Sequence, residues 1–241
     1  MPSFLFIRAY KGAAMIIYKI SERNIIFTHK TGVWDLHLHL IIGEKKNYLI
    51  DTGLGAGHAR TVLQYLKSVE NLNSVVAINS HSDWDHVFGN AVFRDGQIVA
   101  HRNAYTPIRD NWEKEIEANA GFLTENPEMV LPNLLFDSEL CFPEDDIFLL
   151  FSPGHTDDSI AVFDAKEKVL NVGDSIGDTD DNIIPEINTE FGMPVFIESI
   201  ERCKALDAVL VVSGHNHIHG KDVFDKILSA AAPWRGNRNN A

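Results

Sequence analysis

His81-Ser82-Asp83-Trp84-Asp85-His86 places four side chains able to bind a metal within six residues. It follows Val75-Val76-Ala77-Ile78-Asn79, a β-branched apolar run that reads as a buried strand. A strand end is a rigid mount for ligands, and the loop beyond it can turn each of them toward one point. Imidazole suits zinc, iron and manganese, whereas carboxylates shift the preference toward harder ions. A polar turn with two ordinary histidines would account for the hexamer equally well if it stood alone.

It does not stand alone. The apolar run Ile147 to Phe151 leads through Ser152-Pro153-Gly154 to His155. Val169-Leu170-Asn171-Val172-Gly173 leads to Asp174, and Ala208 to Val212 leads through Ser213-Gly214 to His215. Four apolar strands thus each end in a potential ligand, a recurrence that chance rarely produces. Periodicity by itself implies an α/β chain of one domain.

The series HSDWDH, PGHT, GDS and SGHNH, preceded by Leu49-Ile50-Asp51-Thr52-Gly53, resembles the metallo-β-lactamase superfamily. The match keeps the family's order from about Tyr18 to about His219, and Leu131 to Phe136 resembles its usual approach to the third motif. The resemblance implies an αββα four-layer sandwich, two mixed β-sheets flanked by helices, with a two-metal site at one edge. Carried over motif by motif, one metal is expected on His81, Asp83 and His155. The second falls to Asp85, His86 and His215, with Asp174 bridging. Asp51 is expected beneath the site, hydrogen-bonded to a ligand rather than to a metal.

The same resemblance implies a metal-dependent hydrolase in which two divalent metal ions, zinc foremost, share a bridging hydroxide. Asp85 and Asp174 are then its catalytic carboxylates, and a small ester, lactone, thioester or phosphodiester its substrate. Asp83 departs from the pattern, because most hydrolases of the family carry His there. Three carboxylates and a hydroxide balance two divalent ions, which weakens the pair as a Lewis acid and favours iron or manganese over zinc. The family's di-iron flavoproteins carry Glu at that position. A di-iron oxidoreductase acting on oxygen or nitric oxide is therefore the alternative, although this chain lacks their flavodoxin domain.

The 241 residues suit one domain able to bury a sizeable core. Apolar content of 45% and charged content of 23% are those of a soluble globule. A net charge of −13 offers no basic stripe to a nucleic acid. No run approaches a membrane span, and Met1 to Met15 lacks the pattern of a secretory signal. Residues 1–15 read as an extension, with Met15 an alternative start. Two cysteines, Cys141 and Cys203, give no disulfide framework; both are expected as small core residues in a cytoplasmic protein.

Other histidines are weighed singly. Leu36-His37-Leu38-His39-Leu40 alternates with period two, and its histidines are expected on an exposed strand face. His58 opens a helix of about His58 to Val69 and faces either the site or solvent. His101 matches no ligand of the family. His217 and His219 alternate behind His215, either reaching the pocket or lying on the surface. Residues 102–146 are expected as an insertion over the mouth of the site, with Tyr105, Trp112 and Phe122 in its wall. The acidic run Asp178 to Asn182 fails as a calcium loop because Ile183 and Thr189 replace the required Gly and Glu. Near a catalytic mouth it would disfavour strongly anionic substrates.

Overall fold

The structure, a computed structural model, describes residues 5–7, 15–123, 125–177, 182–190 and 192–235. The first sheet holds β1 (Leu5–Ile7), β2 (Met15–Lys19), β3 (Asn24–Lys30), β4 (Asp35–Ile42), β5 (Asn47–Ile50), β6 (Val75–Ile78), β7 (Gln97–His101) and β8 (Leu134–Phe136), in that order. Its pairing is antiparallel from β1 to β5 and parallel from β5 to β8. The second sheet runs in order from β9 (Glu139–Phe142) through β10 (Ile147–Phe151), β11 (Ile160–Asp164), β12 (Val169–Asn171) and β13 (Leu210–Val212) to β14 (Ile218–Gly220). It too is mixed, with β12 and β13 its parallel pair. The segment expected as an N-terminal extension thus supplies an edge strand; residues 1–4 and 8–14 lie outside the described part.

Side-chain alternation sorts the layers. On β4, Leu36, Leu38 and Leu40 pack with α1 (Ala56–Ser68), whose Ala59, Val62 and Leu66 form the facing stripe. Val69, expected as the last residue of that helix, lies just past it and is 47% exposed. Between the sheets, Ile41, Ile50 and Ile78 of the first meet Ile147, Leu149 and Val162 of the second. On the outer face of the second sheet, Leu170 and Val211 pack against Phe196 and Ile200 of α4 (Met193–Ala205) and Phe224 and Ile227 of α5 (Val223–Ala230). Helix, sheet, sheet, helix is the expected four-layer sandwich. Two short helices, α2 (Trp84–Val87) and α6 (Ala232–Arg235), complete the set together with α3 (Tyr105–Ala118), which packs Ile108 and Trp112 over Val87 and Phe88.

Two expectations fail here. His37 and His39 are buried, not exposed, because β4 is covered on both faces. His37 Nδ1 donates to the Ser213 carbonyl at 3.1 Å and His39 Nε2 to Asn24 Oδ1 at 2.8 Å. Burial lowers these imidazoles to about 4 and about 3. Cys141 is exposed on the edge strand β9, while Cys203 sits in the core as expected. Part of 102–146 also belongs to the sheets, since β8 and β9 extend one each.

Candidate metal centre

Each candidate ligand leaves the C-terminal end of a strand, where the backbone stops pairing and can turn inward. His81 follows β6 by three residues, and α2 then winds Asp85 and His86 back toward it. His155 follows β10, while Asp174 and His215 follow the in-register parallel strands β12 and β13. His81, Asp83, Asp85 and His86 therefore come from the first sheet, and His155, Asp174 and His215 from the second. Two glycines make the approach possible. A Cβ on Gly214 would fall 2.2 Å from Asp174 Oδ1, and Gly173, at φ +51°, sits where one would meet Ser80.

The structure brings all seven together. Three sets of donors, His81/Asp83/His155, His81/His86/Asp174 and Asp85/His86/His215, each lie within 4.8 Å of one another. Asp83 Oδ2 is 3.1 Å from His155 Nε2 and 3.4 Å from His81 Nε2. Asp174 Oδ2 lies 3.1 Å from His215 Nε2, 3.4 Å from His86 Nε2 and 3.7 Å from His81 Nε2, a central position. Asp85 Oδ2 is 3.3 Å from His215 Nε2.

Every imidazole is held from behind by its Nδ1. His86 Nδ1 donates to Asp51 Oδ2 at 2.8 Å and His81 Nδ1 meets Ser80 Oγ at 2.9 Å. His155 and His215 donate to the carbonyls of Glu186, at 3.0 Å, and Asp35, at 3.2 Å. Four Nε2 atoms are thereby turned inward in the tautomer that can ligate. Among the described residues, His81 Nε2, His86 Nε2 and Asp174 Oδ1 are buried without a hydrogen-bond partner. Buried polar atoms without partners cost about 1–3 kcal/mol each, so several converging at one point call for a ligand. Imidazole nitrogens and carboxylate oxygens are the donors that divalent transition metals take, so the residues fit such ions.

Electrostatics agree. Burial disfavours charge on His155 and His215, yet the carboxylates around them outweigh it and lift the two to about 9 and about 10. Burial likewise raises Asp174, but His215, His86 and His81 hold it well below the usual carboxylate range.

Asp51 occupies the place expected of it, at φ +63° and 1% exposed, accepting from Ser80 as well as His86. His58 takes neither expected role. It is buried, with Nδ1 accepting from the Leu54 N–H at 3.2 Å and its ring 4.2 Å from His29. His101 stacks on Phe151, centroids 3.9 Å apart, away from the cluster. A cleft of about 1080 Å³ opens over the centre, lined among others by Trp34, Trp84, Lys30, Ile176, Glu186 and His217. His217 thus reaches the pocket and His219 pairs along β14. Phe122 lies 4.6 Å from Trp34, whereas Trp112 is buried against Phe88 and Tyr105 is half-buried. Asp178 to Asp181 lie outside the described residues.

Sequence reasoning missed Ser80, Trp34 and Asp158. Ser80 and Trp34 are ordinary residue types beside the motifs. Asp158 had a signal, the doubled acid after Pro153-Gly154-His155-Thr156, and it is buried with Oδ1 accepting from Ser82 at 3.2 Å.

No curated protein matches this chain. Among solved structures it is similar to the DIM-1 metallo-β-lactamase, at 16% identity and TM-score 0.72, over 91% of this chain and 98% of that one. VMB-1 gives 16% and 0.71, over 92% and 98%. A metallo-β-lactamase from Pontibacter korlensis gives 19% and 0.67, over 90% and 99%. At these identities the likeness concerns the fold. The sequence model of the metallo-β-lactamase superfamily matches residues 37–215, which reach from β4 to the last histidine of the cluster, and the chain belongs to that superfamily.

Proposed function

We propose that this chain is a metal-dependent hydrolase with a two-metal site that cleaves a small ester, lactone, thioester or phosphodiester. The observation that carries it is the convergence of four inward-facing Nε2 atoms on three carboxylates at the floor of an open cleft. Two divalent ions, zinc foremost, would acidify a water between them and polarise the carbonyl or phosphoryl group under attack. His81, Asp83 and His155 would hold one, Asp85, His86 and His215 the other, and Asp174 both. Asp85 lines the cleft, and its carboxylate would take up the proton released there. Burial pushes the Asp85 carboxyl up, but His86 and His215 outweigh it and hold the group low, which keeps it ionised as a metal ligand must be.

The cleft shapes the substrate class. Lys30, its one lysine or arginine among the described residues, is already bound to Asp35 at 2.7 Å, while Glu186 adds an acid. A strongly anionic substrate meets no spare cation there, which also disfavours nucleic acid. Residues 102–146 border this mouth through Phe122. No described helix is long and apolar enough to cross a membrane. Cys141 and Cys203 are both free thiols, which suits the reducing cytoplasm.

Asp83, wedged between His81 and His155, favours a second reading: a di-iron oxidoreductase fed by a separate electron donor. Metal analysis with an absorption spectrum, beside a panel of neutral esters and lactones, separates the two. Turnover with zinc alone is expected. Near-stoichiometric iron with no hydrolysis across the panel would sink the hydrolase.

A further inference from the structure

We propose that Ser80 is a positioning residue that sets the tautomer of His81, making the His81 metal site separately dependent on it. The inference rests on the two-metal reading above. Ser80 is 1% exposed, and each of its polar groups is committed. Its N–H donates to Asp51 Oδ1 and its Oγ–H to Asp51 Oδ2, both at 2.8 Å. Its carbonyl accepts from the N–H of Ile160, on the opposite sheet, at 2.8 Å.

With its own proton spent on Asp51, Ser80 Oγ can only accept from His81, whose Nδ1 lies 2.9 Å away. His81 must then carry its proton on Nδ1 and present a bare Nε2 to the centre. Were the serine proton given to His81 Nδ1 instead, Ser80 Oγ and the Asp51 carboxylate would be left as two acceptors facing each other. Asp51 therefore reaches two ligands by two routes, His86 directly and His81 through the serine. His155 and His215 are aimed by backbone carbonyls, so Ser80 and Asp51 are the side chains whose loss disturbs the Nδ1 contacts. The two metals should respond differently: Asp51 supports both sites, Ser80 one.

Ser80→Ala and Ser80→Thr test this. After chelator treatment, each protein is titrated with cobalt and its bound metal counted, with the cobalt visible spectrum as a second readout. The wild type should bind two equivalents. Ser80→Ala should keep one at wild-type affinity and bind the other roughly 10- to 100-fold more weakly, as lost partners of metal-bound histidines do. Ser80→Thr, which retains the hydroxyl, should restore it. Two wild-type affinities in Ser80→Ala, or equal weakening of both, would overturn the proposal. If Ser80→Ala does not fold, the nitrogen NMR spectrum of the zinc-loaded wild type decides. A His81 bound through Nδ1 refutes the role, and one bound through Nε2 with Nδ1 protonated supports it. A wild type that binds fewer than two equivalents would instead refute the two-metal reading itself.

Discussion

Replacing Asp51 by Asn changes neither its shape nor its tolerance of a positive φ, which Asn shares with Asp. What it changes is the pattern of donors and acceptors. Asp51 Oδ1 accepts from the Ser80 N–H, and Oδ2 from Ser80 Oγ and His86 Nδ1, all at 2.8 Å. An amide offers one oxygen. If that oxygen stays with the Ser80 N–H, the amide NH₂ points at His86 Nδ1 and forces the imidazole proton onto Nε2, where it blocks a metal. If the amide flips, its NH₂ faces the backbone N–H instead. Either arrangement leaves one or two buried groups opposed, a stability loss of about 1–3 kcal/mol each. The metal affinity of the His86 site should fall roughly 10- to 100-fold, or about 1.4–2.8 kcal/mol. Competition against a chromophoric chelator measures the affinity, and urea unfolding of the metal-free proteins measures the stability. If Asp51→Asn binds both metals with wild-type affinity, Asp51 is not orienting His86 and the account is wrong.

Asp83→His removes a negative charge from between His81 and His155; zinc should gain on iron by on the order of tenfold in competitive loading, and hydrolysis should quicken. If metal content and rate both stay put, the charge argument is wrong. Burial holds His37, His39 and His58 at about 4, about 3 and about 3 in the folded chain, against roughly 6.5 when unfolded. Below that value the unfolded chain takes up protons that the folded one refuses, so stability is full above it and falls as the pH drops toward the folded values. Each histidine contributes about 1.4 kcal/mol per pH unit to that fall. His39→Gln should therefore flatten the slope of urea-derived stability between pH 6 and 5, and an unchanged slope would count against the idea. Phe122→Ala removes a ring 4.6 Å from Trp34, and KM for substrates with apolar groups should rise about 2- to 10-fold with kcat nearly constant. An unchanged KM across the panel would detach Phe122 from the mouth.

The parts of this site legible in the sequence share one physical trait. His81, His155, Asp174 and His215 each follow an apolar strand through a short turn, so local pattern alone puts a ligand at a strand end. Convergence depends on contacts far apart in the chain, and there the family's motif order supplied what periodicity lacked. His37 and His39 show the limit: strict alternation reads as one wet face only if no second layer covers it, and here a second sheet does. Cys141 fails for the reverse reason, since its strand lies at an edge. Ser80 carries no signature because its role arises from where Asp51 and His81 fall around it. Trp34 is in the cleft through a hairpin whose tip sequence gives no hint of a substrate.

Because four ligands belong to one sheet and three to the other, cations seated among them would act as rivets through the sandwich. Mass action then makes metal supply a determinant of mechanical integrity: at a hundredfold excess over its Kd, each ion adds about 2.7 kcal/mol against unfolding. A cell starved of metal would hold a chain less firmly pinned where the two layers meet.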